Sequence, residues 1–355
     1  RSTMNALLTD LLAVFGVVLN ALPQGLLALS FGFAAVPTAM AFFIGAFGNV
    51  ITGNVAPISF QAETITYAGT SGRNRSERCT MIFIGAAILA VIGACGMLTK
   101  IVDFIGTDIA NGMMAGVGLI LTNAAVNMVK EDHLAGGVSI AAAVLTYFLT
   151  SSSPNTLVYT IVISVIASSV VSAVLNKEKK NIVVADDKFT RQKFTFNGNV
   201  ILGALGMVCL NIGSNISFGA ITASMAGADT FNVDHLTLIS SLADMGSSFF
   251  GGAPVESIIS ATANAPHPVW AGVAMMIVVG IILLSGLLPK IGNYVPSSSI
   301  AGFLIVLGLF KTFILDAPVA LAINPAVGGT ALVVTAISNP FLGMLAGIAA
   351  RVLGL

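Results

Sequence analysis

Phe249-Phe250-Gly251-Gly252-Ala253-Pro254-Val255-Glu256-Ser257-Ile258-Ile259-Ser260 interrupts a strongly apolar stretch with two glycines, a proline, an acid and two hydroxyls. The glycines permit irregular backbone, and Pro254 suits the first turn of a new helix, where its missing N–H costs nothing. Glu256 and Ser257 are then expected in that first turn, beside free backbone donors. Irregular backbone at membrane depth is tolerated only inside protein or against a wet cavity. A second break, Gly53-Asn54-Val55-Ala56-Pro57-Ile58-Ser59-Phe60-Gln61-Ala62-Glu63, again runs into Ala-Pro and then an acid. Paired broken segments in two halves of a chain point to a transporter with its substrate between them. The plain alternative is two kinks between packed helices.

Composition supports the membrane setting. The 355 residues are 56% hydrophobic and 8% charged, with mean hydropathy +0.97; soluble domains carry roughly 25% charged residues. Net charge is zero, so nothing favours nucleic acid. No signal peptide is evident, and Arg1-Ser2-Thr3 ahead of Met4 reads as an expression remnant. Cys79, Cys95 and Cys209 lack metal spacing and are expected as reduced packing residues. The expectation is an all-α, multi-pass protein of the cell (inner or plasma) membrane, with partners limited to lipid and a small-molecule substrate.

Fourteen apolar segments can be drawn, at 6–21, 28–48, 54–69, 80–98, 108–129, 134–150, 155–175, 199–226, 232–250, 254–265, 268–288, 297–314, 317–337 and 339–354. They divide into a first repeat (4–176), a charged linker (177–198) and a second repeat (199–355). Gly96 to Ile105 aligns with Gly286 to Val295, and seven segments per half make the repeat inverted, as alternating access requires. The orientation is left open, with a lean from the many Lys and Arg in loops after odd segments toward those loops in the cytoplasm and both termini outside.

The ionisable groups at depth are Glu63, Asp244 and Glu256, with Asp10 nearer an end. Each needs a partner or a job, because a buried charge costs a few kcal/mol. Glu63 and Glu256 lie just past the breaks and are the candidates for proton coupling; capping of the local backbone is the other reading. Asp244 is expected to make a structural hydrogen bond. Asn211, Ser214 and Asn215 suit either close helix packing or a polar planar ligand. Phe60 and Phe250 flank the breaks as ring contacts or plain core. His133, His235 and His267 fall in loops, and no nucleophile–base pair, phosphate loop or metal cluster appears. An enzyme is not expected, nor a cofactor or metal, and a proton is favoured over sodium as coupling ion.

Leu242-Ala243-Asp244 running into Phe249-Phe250-Gly251 and Ser257-Ile258-Ile259, with Ala56-Pro57, Asn111 to Leu119 and Leu12 to Gly16, resembles the nucleobase/cation symporter-2 (xanthine/uracil permease) family, particularly its purine branch. The resemblance implies a uracil-permease-like fold of two inverted seven-helix repeats, split into core and gate domains, with short strands before the third and tenth half-helices. It implies a nucleobase, purine first, bound between them and carried by proton or sodium symport, and often a homodimer through gate helices. The substrate-binding set is then Phe60, Gln61, Glu63, Ser214, Asn215, Pro254, Val255, Glu256 and Ser257. The family's usual acids on the eighth and tenth helices fall on Ser214 and Ser260 here. A sulfate-permease-like transporter of another small ion is the alternative, against which stand the two acids and a chain that stops at Leu355 after its last helix. A channel is the remaining reading.

Overall fold

The computed structural model describes residues 2–175, 182, 188–228 and 231–355. Of the charged linker expected at 177–198, residues 177–181 and 183–187 lie outside the described residues. In chain order the elements are α1 (Ser2–Ser30), α2 (Ala35–Thr52), β1 (Ile58–Ser59), α3 (Ala62–Ser71), α4 (Arg75–Ala94), α5 (Leu98–Ile105), α6 (Thr107–Glu131), α7 (His133–Leu149) and α8 (Thr156–Val174). After the linker come α9 (Gly198–Met225), α10 (Val233–Phe249), β2 (Glu256–Ser257), a 3₁₀ turn (Ala261–Asn264), α11 (Pro268–Leu284) and α12 (Leu287–Gly292). A second 3₁₀ turn (Ser297–Ile300), α13 (Ala301–Ile305), a π-helical stretch (Val306–Phe313), α14 (Ile314–Ile323), α15 (Pro325–Ile337) and α16 (Pro340–Val352) complete it.

Among the described residues, seven helical stretches are long and apolar enough to cross a bilayer, and four apolar helices are shorter. Their faces are sorted for lipid. Tyr159, Ile163, Ile166, Val170 and Val174 of α8 point outward, while Thr160, Ser164, Ser168 and Ser172 are buried at every fourth position. This inverts the soluble pattern, because lipid accepts the apolar stripe and small residues let helices approach.

The chain forms two compact units. One holds α1 to α4 with β1, and α9 to α11 with β2; the other holds α6 to α8 and α13 to α16. In the second unit α6 packs against α15 and the π-helical stretch. A Cβ on Gly112 would sit 2.5 Å from the Gly328 carbonyl oxygen, and one on Gly118 would sit 2.4 Å from that of Gly308. The glycine-rich run 111–119 is therefore a close-packing surface.

In the first unit α2 ends at Gly53, whose φ of 64° is the left-handed conformation that stops a helix cheaply. The chain then turns into β1, which pairs antiparallel with β2, Ile58 opposite Ser257 and Ser59 opposite Glu256. Here the expectation needs correcting. Pro254 does not open a helix, and Glu256 and Ser257 lie in β2 rather than in a first helical turn. The segment drawn at 254–265 is a strand followed by one 3₁₀ turn. The reason is that each break satisfies the backbone of the other, so extended residues replace the expected turn. On the other side the half-helix exists but starts at Ala62, five residues past Pro57, with Glu63 in its first turn.

Candidate functional site

The backbone around the breaks is irregular, buried and hydrogen-bonded almost throughout by side chains from neighbouring helices. Asn49 Nδ2 donates to the Ala56 carbonyl at 2.9 Å, and Ala56 N–H donates to Asn54 Oδ1 at 3.0 Å. Gln24, from mid-α1, accepts from Ala62 N–H at 2.9 Å. On the β2 side, Ala253 N–H donates to Thr38 Oγ1 at 2.8 Å, and Ser247 Oγ donates to the Ala253 carbonyl at 2.7 Å. Thr222 Oγ1 donates to the Ile258 carbonyl at 2.9 Å and accepts from Ser260 N–H at 3.3 Å. Each bond removes a backbone group that would otherwise cost 1–3 kcal/mol or so in a dry interior. Asp244 makes the structural bond expected of it, accepting from Val255 N–H at 2.7 Å.

Within this frame runs a chain of side chains. Gln61 Nε2 donates to the Ser257 carbonyl at 3.0 Å, tying the two breaks together. Thr64 Oγ1 donates to Gln61 Oε1 and lies 3.4 Å from Asn211 Oδ1. Asn211 Nδ2 donates to Glu256 Oε1. Glu256 and Asp244 meet carboxyl to carboxyl. Asn215 Nδ2 reaches Ser240 Oγ at 3.2 Å and Thr237 Oγ1 at 3.5 Å. Asn215 and Ser240 also face the Glu256 carboxyl, but its second oxygen, Oε2, has no donor at hydrogen-bond geometry. Asn215 Oδ1 and Ser257 Oγ likewise have no partner. Glu256 and Asp244 are each 1% exposed. Two carboxyl groups thus face each other in a site closed to water.

The structure thus brings Gln61, Asn215, Val255, Glu256 and Ser257 of the expected set into one network, with Pro254 in the connection to it. Glu63 is buried in the first turn of α3. Ser214 is buried and turned back on its own helix, its Oγ donating to the Asn211 carbonyl at 3.4 Å. Phe60 packs against Phe42, ring centroids 5.2 Å apart, and serves as core. Sequence reasoning left Gln24, Thr38, Asn49 and Thr64 aside because a lone polar residue in an apolar run looks like a packing residue. A cavity of about 740 Å³ opens beside the approach to β1, lined by residues from Thr52 to Val55 and from Phe231 to His235; none of the nine candidates lines it. Among the described residues no group of three metal-ligating side chains occurs. Of the histidines, His267 Nδ1 pairs with Asp10 at 2.9 Å.

No protein-family model matches the sequence, and no curated protein sequence matches it. Solved structures do. SLC26A9 superposes with a TM-score of 0.73 over 98% of this chain and 65% of its own, at 14% identity. Murine Slc26a9, an anion transporter in its inward-facing state, gives 0.70 over 98% and 68%, at 17% identity. The transmembrane domain of a cyanobacterium bicarbonate transporter, BicA, gives 0.68 over 97% of both chains, at 13% identity. The fold is that of the SLC26A9 and BicA transporters. The chain is accordingly a multi-pass membrane protein of transporter fold, and it spans 65% of the SLC26A9 chain.

This overturns the resemblance to nucleobase/cation symporter-2 permeases and, with it, the uracil-permease label and the purine. The motifs that carried it were Ala-Pro breaks and a glycine-rich helix. Breaks and close packing describe how helices are interrupted and fitted, not which solute is recognised. The residues at that family's acid positions, Ser214 and Ser260, had already departed from its pattern. A chain ending at Leu355 does not weigh against the sulfate-permease-like alternative, since SLC26A9 is itself matched over only part of its length.

Proposed function

We propose that the chain is a secondary transporter of a small anion, working by alternating access around the paired breaks. The observation that carries this reading is the β1–β2 junction, irregular backbone buried inside a lipid-adapted helical protein and bordered by three buried polar atoms without partners. Such a junction is expensive to keep where only packing is needed. The choice of an anion takes its support from the neighbours of like fold, of which BicA is a bicarbonate transporter and murine Slc26a9 an anion transporter. In this reading Ser257, whose Oγ has no partner, offers a neutral hydrogen bond to the solute near the start of α3, where helix-terminal amides favour negative charge, and Gln61, Ser214 and Asn215 would have to exchange their present bonds to join it. Glu63 and Glu256 are the coupling acids.

A carboxylate beside an anion repels it, so the acids cannot be direct ligands in their charged form. A proton, or a sodium ion, held between Glu256 and Asp244 cancels one of their two charges, lowers that repulsion and ties anion entry to cation entry. The coupling is symport, with the proton first. The two breaks belong to two inverted seven-segment repeats, 4–176 and 199–355, whose exchange of roles alternates access.

The test is uptake by the purified full chain in proteoliposomes, using radiolabelled bicarbonate, sulfate or chloride, with hypoxanthine as the comparison solute. Saturable accumulation of one anion, abolished when the imposed proton and sodium gradients are collapsed, is the expected result. Accumulation of hypoxanthine with no anion uptake overturns the substrate class. Non-saturating conductance in a planar bilayer replaces the carrier by a channel.

A further inference from the structure

Residues 188–197, Lys-Phe-Thr-Arg-Gln-Lys-Phe-Thr-Phe-Asn, alternate cations with aromatics and have no helix or strand of their own. They are nevertheless fixed. Gln192 N–H donates to the Phe249 carbonyl at 2.9 Å, Ser76 Oγ donates to the Lys193 carbonyl, and Thr195 N–H donates to Thr80 Oγ1 at 3.1 Å. Asn197 Nδ2 donates to Glu77 Oε1 at 3.0 Å. Phe194 packs against Phe83 in a tilted pair with centroids 4.8 Å apart, and the Arg191 guanidinium lies 5.4 Å from the Phe249 ring centre. The segment is a strap across the start of α4 and the end of α10, and it leads directly into α9.

Its position defines a membrane boundary. Both α4 and α9 are long and apolar enough to span, and both begin at the strap. Arg73 stands exposed just before α4, with Arg75 and Arg78 packed behind it, so with Lys188, Arg191 and Lys193 four exposed cations gather on this surface. Even counting Asp186 and Asp187, which lie outside the described residues, with Glu77, the acids number three. Glu77 is committed inside the surface, accepting from Arg73 N–H at 3.0 Å and from Asn197. Phe189 and Phe196, 49% and 68% exposed, project beside them. Exposed aromatics flanked by cations at a span boundary match the interfacial layer of a bilayer.

We propose that this strap is a docking surface for anionic lipid headgroups, with its basic side chains on the phosphates and Phe189 and Phe196 set between the acyl chains. Each basic residue near an anionic membrane surface contributes about a five-fold preference, so removing three predicts about a hundred-fold loss. The surface also reaches the second break. A Cβ on Gly251 would fall 2.1 Å from Arg75 Nη2, so the guanidinium lies directly on that glycine's backbone.

The experiment compares the full chain with its K188Q/R191Q/K193Q variant by native mass spectrometry, with phosphatidylglycerol titrated against phosphatidylcholine and inorganic phosphate as a separate arm. The wild type is expected to retain phosphatidylglycerol selectively, more weakly as salt is raised, and the variant to lose that preference by about a hundred-fold. Equal retention by both proteins overturns the proposal, as does displacement of the lipid by inorganic phosphate at equal concentration. A K188R/K193R variant keeps the charge and should bind as wild type, which separates lost binding from lost fold. If the triple variant does not fold, the wild-type salt titration decides, since retention insensitive to salt also overturns it.

Discussion

Replacing Asp244 separates its two roles. Its Oδ1 accepts the Val255 N–H at 2.7 Å in a site 1% exposed, and its carboxyl faces Glu256. Asp244→Ala orphans a buried amide, worth about 1–3 kcal/mol, while relieving the carboxyl contact, so a net loss of about 2 kcal/mol follows. An unfolding entropy of about 2.1 cal/mol/K per residue, applied to 355 residues, turns that into a fall of about 3 °C in melting temperature. Asp244→Asn keeps an oxygen for Val255 and brings an amide able to donate to Glu256 Oε2, so its melting temperature should stay within about 1 °C of wild type. It can no longer share a proton, however, and gradient-driven anion accumulation should disappear. Detergent-solubilised melting by size exclusion and proteoliposome uptake are the two readouts. Equal destabilisation by both substitutions refutes the amide clamp. Accumulation that survives in a folded Asp244→Asn protein refutes the coupling role.

Glu256→Gln can still engage Asn211 and should fold, yet lose accumulation while keeping substrate exchange between equal gradients; unchanged accumulation would remove Glu256 from the coupling path. Gly252→Ala places a methyl 2.2 Å from Ser247 Oγ and 2.7 Å from the Thr38 backbone nitrogen, so folded yield should drop sharply. Gly137→Ala, inside α7 with nothing within 4 Å, should instead stabilise by about 0.5–1 kcal/mol. Cys95 is exposed while Cys79 and Cys209 are buried, so maleimide should label Cys95 alone in the folded protein. If the Lys- and Arg-rich loops lie in the cytoplasm, as their charge favours, the loop after α4 is outside and an impermeant maleimide added to intact cells should reach Cys95; labelling only after lysis reverses the orientation.

The sequence made the membrane setting legible because lipid demands apolar runs whatever the topology. It also made both breaks legible, because Gly-Gly-Ala-Pro and Ala-Pro cannot continue a helix. Asp244 could be assigned a structural hydrogen bond because its helix pattern leads into the break, though not its partner, the Val255 N–H. The strands could not be seen as strands. Each is two residues long, too short for any alternation, and Ile58 finds its partner 199 residues away at Ser257. Pro254 therefore looked like a helix start, which is its commonest use, while the pairing that overrides it is non-local. The family could not be read either, since packing glycines and broken helices serve many solutes.

Under the proposed function one pocket must combine anion and acid, and the two breaks supply a means. Most backbone groups of the junction are held by residues that touch nothing ionisable: Asn49, Gln24, Thr38, Ser247 and Thr222 do this work from α1, α2, α9 and α10. Glu256 is spared it, and its carboxyl answers only to side chains. Had Glu256 been fixed by backbone amides, as a half-helix cap would be, its charge would be committed and unavailable for exchange. Set in β2 instead, opposite Ser59 and beside Asp244, it can lose and regain a cation without breaking the pairing that supports it. Under the proposed function the same strand that corrects the expected helix leaves the acid free for coupling, and a variant that restored backbone N–H donors to Glu256 would be expected to retain the fold and lose the exchange.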